Sequence, residues 1–196
     1  MDILETLFGN AIRARLLRAF VYNPDDVFAP KSLAKKVRAS SGALSKEIKI
    51  LKKINLVKDR TVSDEKGRKI KGVALNQNFK FVIPFREFLM NVSPLTEDAI
   101  AKKLGDKGKA KLVVISGMFL DNNDSRADML VVSEKQNDKI IQKTIADIST
   151  EFGRDISYAL FTKDDFSYRM NMGDKLIRDI FDFPHKIILD KIGVGK

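Results

Sequence analysis

Lys46, Lys49 and Lys53 recur at i, i+3 and i+7, a spacing that puts three ammonium groups on one side of a helix. Leu44, Ile48 and Leu51 recur at i, i+4 and i+7 and form an apolar stripe on a different side. Ser40 or Ser41 supplies an N-cap, so the helix opens on small polar residues with free backbone N–H groups. Such a helix has one face for a core and another for an anion, and its small tip lets the backbone approach a groove. A second pair of charges lies later, in Arg126-Ala127-Asp128. Residues i and i+2 of a strand project to one face, so Arg126 and Asp128 are expected to form an ion pair. A fixed guanidinium there opposes a divalent cation. Other chemistries are bounded by what the chain lacks. It has no cysteine and one histidine, His185, which rules out disulfides, thiolate metal sites and histidine-based triads or clusters. His185, beside Pro184, reads as a surface or packing residue.

The elements that position these residues divide by charge. Residues 1–92 hold 19 Lys and Arg against 9 Asp and Glu, a balance of +10, whereas residues 93–196 hold 17 of each. A basic half joined to a neutral half predicts two domains, one of which faces a polyanion. Without a basic amphipathic segment bearing a Trp/Phe-rich face, nucleic acid is the expected polyanion rather than a membrane. No run approaches the ~18 apolar residues that span a bilayer. The acidic, amphipathic start Met1-Asp2-Ile3-Leu4-Glu5 is unlike a signal peptide, and the absence of cysteine fits a cytoplasmic protein.

In chain order, Leu4, Leu7 and Phe8 begin an apolar pattern that runs on to Val21, with a joint at Gly9-Asn10 and a break at Asn23-Pro24. Val27-Phe28-Ala29 is a short extended piece. Pro30 opens a helix with Leu33, Ala34 and Val37 inward and Lys31, Lys35, Lys36 and Arg38 outward. Then come the lysine-striped helix, a strand at 56–62, a polar turn holding Lys66, Arg68 and Lys69, and a return strand at 70–75. From about residue 4 to 76 this order resembles the winged helix-turn-helix transcriptional regulators of bacteria and archaea. The matching pieces are Leu7-Phe8-Gly9, Arg13-Ala14-Arg15-Leu16-Leu17, Ser32-Leu33-Ala34, Leu44-Ser45-Lys46-Glu47-Ile48 with Leu51, and Leu56-Val57. Phe79–Asn91 is a strongly apolar helix, read as a dimer interface or as packing against the second domain.

Ser93 and Pro94 are expected to cap a helix carrying Leu95, Ala99, Ile100 and Leu104, stopped by Gly105. Beyond it lie strands at 111–115 and 128–132, a helix at 139–152 with Ile140 and Ile141 inward, and a strand at 156–161. A helix from Thr162 to about Phe183 and a final strand or helix at 186–189 complete the chain. Residues 111–162 resemble the minimal nucleotidyltransferases of the DNA polymerase β superfamily. There, a Gly-Ser pair after the first strand holds a triphosphate, and an Asp-x-Asp on the second strand holds two magnesium ions. This chain has Gly117-Met118 and Arg126-Ala127-Asp128 at those places, and Asp155 stands near the third carboxylate. The resemblance therefore implies a degenerate nucleotide site of Ser116, Gly117, Arg126, Asp128 and Asp155, with no catalysis, metal or cofactor.

The expected fold is α+β. A winged helix-turn-helix domain occupies 1–78, connecting helices 79–105, and a small α/β nucleotidyltransferase-like domain 106–196. The expected function is sequence-specific transcriptional regulation by a homodimer on double-stranded DNA. Bases or phosphates would meet Ser40, Ser41, Ser45, Lys46 and Lys49, and phosphates Lys35, Lys36, Arg38, Lys66, Arg68 and Lys69. The second domain would serve dimerisation or sense an anionic small-molecule effector. The alternative is an enzyme that transfers a nucleotide to a protein or small molecule, with the winged helix as its docking module.

Overall fold

Asn10 separates the first two helices, α1 (Ile3–Phe8) and α2 (Ala11–Tyr22), by capping the second: its Oδ1 accepts the Arg13 N–H at 3.1 Å. The structure is a computed structural model that describes residues 3–63, 69–92, 94–120 and 125–195. Lys66, Arg68, Ser93 and four residues of the polar loop 121–125 lie outside the described residues. The protein is mixed α+β with two small sheets, and the chain divides into two compact units. The first comprises residues 1–94 with 150–154, the second 95–149 with 155–196.

In the first unit, α3 (Pro30–Lys36) and α4 (Ser41–Lys53) follow α2. Proline at the first turn of α3 gives up no hydrogen bond, because that N–H has no helical partner. The chain leaves α3 through Arg38 in the left-handed region (φ 51°), and the Ala39 N–H closes back on Ala34 O at 2.9 Å. Ser40 caps α4, its Oγ accepting the Ala43 N–H at 3.3 Å. Leu44, Ile48 and Leu51 of α4 enter a core shared with Leu16, Leu17 and Phe20 of α2 and Leu33 of α3. Each such side chain contributes roughly 1.5–3 kcal/mol by leaving water. Leu7, expected inward, is 62 % exposed. Leu4 and Phe8 lie four residues apart on the inward side of α1, and Leu7 falls outside their line.

Strands β1 (Val57–Ser63) and β2 (Lys69–Leu75) form an antiparallel hairpin, with Val57 opposite Leu75 and Ser63 opposite Lys69. Phe28 adds an isolated antiparallel bridge to β2: its N–H donates to Val73 O and its carbonyl accepts the Val73 N–H, each at 2.9 Å. Gly72 permits this approach, since a Cβ there would stand 2.6 Å from Phe28 O. Helix α5 (Val82–Asn91) completes the unit. Leu89 is fully buried, and Phe85 meets Phe8 edge-on at 6.5 Å. Phe81, Ile83 and Phe88 remain exposed, so the helix has both a packed and an open face.

The second unit is built on a four-stranded sheet ordered β5-β4-β3-β6, from β3 (Leu112–Ile115), β4 (Met129–Val132), β5 (Tyr158–Phe161) and β6 (Lys186–Asp190). β3 runs antiparallel to β4 and β6, and β4 parallel to β5. Every residue of β3 and β4 is buried, which accounts for their unbroken apolar runs. Helix α6 (Glu97–Lys102) starts later than Ser93-Pro94 would place it, because Thr96 Oγ1 accepts the Ala99 N–H at 3.2 Å. It passes into a π turn at Lys103–Lys107 that contains Gly105, so that glycine does not stop the helix. In α7 (Asp138–Phe152), Ile141, Ile145 and Ile148 are buried, but Ile140 is 45 % exposed. The expected long helix after Thr162 is two: α8 (Lys163–Asn171) and α9 (Lys175–Asp182). Gly173 turns the chain at φ 66°, and Asp174 Oδ1 caps α9 through the Leu176 and Ile177 N–H groups.

Candidate functional site

The buried edge of α4 carries a carboxylate as well as leucines. Glu47 is 4 % exposed, its Oε1 accepting from Asn10 Nδ2 at 2.9 Å and its Oε2 pairing with Arg13 Nε at 2.8 Å. Asn10 thus caps α2 with its oxygen and holds α4 with its nitrogen. The arrangement fixes α4 against α2 in rotation and register, and takes the only acid of α4 away from its outer face.

That outer face exposes Ser41, Gly42, Ser45, Lys46, Lys49 and Lys53. Lys52 is occupied elsewhere, with Nζ 2.7 and 2.8 Å from the two Asp59 oxygens, and so ties α4 to β1. Ser40 is exposed at the tip, Lys35 and Arg38 are exposed on and after α3, and Lys36 is half-buried. Lys69 is exposed at the start of β2. A groove of about 600 Å³ runs between α3, α4 and the hairpin, floored by Leu33, Leu44, Ile48 and Val73, with Lys31 and Ser41 among its lining. Exposed lysines stand on α3 and α4 beside this groove, whose lining also includes Asp59.

In the second unit, the residues singled out around Asp128 are bound to one another differently from expectation. Arg126 does not pair with Asp128: its Nε lies 2.6 Å from Asp179 Oδ2 on α9. The same-face rule fails because Arg126 precedes β4, which begins at Met129. Asp128 is 8 % exposed and turns the other way. Its Oδ1 accepts the Met118 N–H at 2.8 Å, and its Oδ2 accepts the Ser157 N–H at 2.9 Å and the Ser157 hydroxyl at 2.7 Å. Gly117 stands against this carboxylate at φ 51°, where a Cβ would be 2.4 Å from Asp128 Oδ1. Ser116 Oγ donates to Pro184 O at 2.7 Å, and Asp155 is exposed ahead of β5. A side-chain carboxylate therefore fills the N-terminal end of the Gly117–Leu120 turn, where a free anion would otherwise meet backbone N–H groups. Among the described residues, no three His, Asp or Glu side chains gather closely enough to hold a metal ion.

His185 packs edge-on against Phe181 at 5.0 Å, and its Nδ1 lies 2.9 Å from Phe183 O. Glu47, Ser157 and Asp179 are the partners that sequence reasoning missed. Only Glu47 left a signal, an acid flanking Ile48 on the inner side of an otherwise cationic helix. No family model, curated protein or solved structure matches the chain. Among the described residues, no helix is long and apolar enough to cross a membrane.

Proposed function

We propose that the chain is a sequence-specific, double-stranded-DNA-binding transcriptional regulator whose first unit is a winged helix-turn-helix, with α4 as the recognition helix and the β1–β2 hairpin as the wing. One observation carries the reading: the outer face of α4 bears lysines, serines and a glycine, while its single acid is locked inward on Arg13 and Asn10. No carboxylate of α4 itself opposes an anion there, and the small residues at the tip admit a groove wall. Lys35, Lys36, Arg38 and the hairpin residues Lys66, Arg68 and Lys69 neutralise flanking phosphates in this account.

The protein acts as a homodimer, because one such module gives limited affinity. The open face of α5, beside Phe81 and bearing Ile83 and Phe88, and the second unit are two surfaces on which pairing is proposed. The second unit is a nucleotidyltransferase-like domain without catalysis, serving dimerisation or an anionic effector. The hydrogen bonds that occupy Asp128 and the pairing of Arg126 with Asp179 support that reading over nucleotide transfer. Fluorescence-anisotropy titration with random and genomic duplexes across a salt series tests DNA binding. Magnesium-dependent consumption of a nucleoside triphosphate by the purified protein would instead favour the enzyme.

A further inference from the structure

Which base can α4 read? The question rests on the DNA-binding reading above and is decided by what its exposed face lacks. Over its first two turns and a half, that face presents Ser41, Gly42, Ser45, Lys46 and Lys49. Adenine is read in the major groove by a side chain that donates and accepts together, as asparagine and glutamine do. None stands there. Cytosine is read by a carboxylate acceptor, and the helix's one carboxylate is buried on Arg13 and Asn10. Thymine's methyl needs an apolar contact, and in this stretch only the half-buried Ala43 methyl is apolar, with Ile50 exposed just beyond it. Guanine alone presents two acceptors, N7 and O6, to a pure donor, which is what a lysine ammonium is.

We infer that α4 selects guanine, with Lys46 and Lys49 as its two base-reading residues. Three residues along a helix rise by about 4.5 Å, against about 3.4 Å per base pair, so the two ammonium groups suit guanines on adjacent or next-adjacent pairs. Lys52 takes no part, being held by Asp59. The serines beside them donate or accept equally and add contact without choice of base.

The test compares matched duplexes in which guanine is replaced by 7-deazaguanine, which removes N7 and leaves phosphates and base pairing unchanged. Affinity is read by anisotropy at low and moderate salt. For the wild type, the 7-deaza duplex should bind about fivefold more weakly or worse. The difference should vanish in Lys46→Ala/Lys49→Ala and persist in Lys46→Arg/Lys49→Arg. Both lysines are exposed, and a circular dichroism melt confirms that each variant folds. Equal affinity for guanine and 7-deazaguanine at every salt concentration overturns the assignment while leaving DNA binding intact. Failure to bind any duplex at low salt overturns the DNA-binding reading itself, and the assignment with it.

Discussion

Glu47 Oε2 lies 2.8 Å from Arg13 Nε across the α2–α4 contact, with the glutamate side chain 5 % and the arginine side chain 28 % exposed. A pair that is sheltered on one side only is screened by water from the other, so its worth lies between those of surface and buried ion pairs. Glu47→Ala removes the acceptor of Asn10 Nδ2 and of Arg13 Nε together. Urea denaturation should show a loss of about 2 kcal/mol, with Glu47→Gln losing less because it still accepts one hydrogen bond. A loss within experimental error for Glu47→Ala would mean that α4 is held by its leucines alone.

Gly117→Ala tests the turn below Asp128. The substitution meets both a left-handed backbone at φ 51° and the Asp128 carboxylate at 2.4 Å. A cost of about 2 kcal/mol or more is expected. Asp128→Ala should also destabilise, by leaving the Met118 and Ser157 N–H groups without their acceptor. If Gly117→Ala melts like the wild type, the close packing of Gly117 on Asp128 is refuted.

The hairpin residues Lys66, Arg68 and Lys69 are predicted to meet phosphates. Changing all three to alanine should flatten the dependence of log K on log salt by roughly 2.7, at about 0.9 per phosphate released. An unchanged slope removes the hairpin from the contact.

Asp190 closes the end of the chain. The N–H groups of Gly195, Ile192 and Gly193 point at its carboxylate and hold its pKa below 3.8, the Gly195 contact most strongly. Because the folded pKa is the depressed one, this contribution is present above the ordinary aspartate range and is lost as pH falls through the folded value. Asp174 at the start of α9 is depressed in the same direction, first by the Ile177 N–H. Thermal melts of the wild type should therefore drop on acidification below about pH 4, and Asp190→Asn/Asp174→Asn should show a shallower acid limb. Parallel limbs would show that these carboxylates do not couple to folding.

Much of the fold is legible in residue order, because proline, glycine and capping side chains act locally. Pro30, Ser40, Asn23-Pro24 and the polar sequence after Ser63 mark the first unit's elements to within a residue or two of where they lie. Local signals mislead where two compete. Thr96 takes the cap expected of Ser93, and Gly173 with Asp174 divides a helix whose apolar period runs through them. Side-chain partners are less legible, since they depend on tertiary approach. Arg126 has an acid two residues away on either side, Asp124 and Asp128, and another on α9, and only folding brings Asp179 within 2.6 Å. Likewise, no spacing rule joins Asn10 to Glu47, which stand 37 residues apart.

The most direct test of the DNA-binding account is anisotropy titration of duplex DNA across a salt series, with wild type and Lys46→Ala/Lys49→Ala side by side. With about six phosphates contacted, log K should fall along log salt with a slope near −5. Some genomic fragments should bind more tightly than random duplex, and the double variant should bind every fragment more weakly and lose that preference. Absence of binding at low salt, or salt-independent binding that ignores the double variant, would contradict the account.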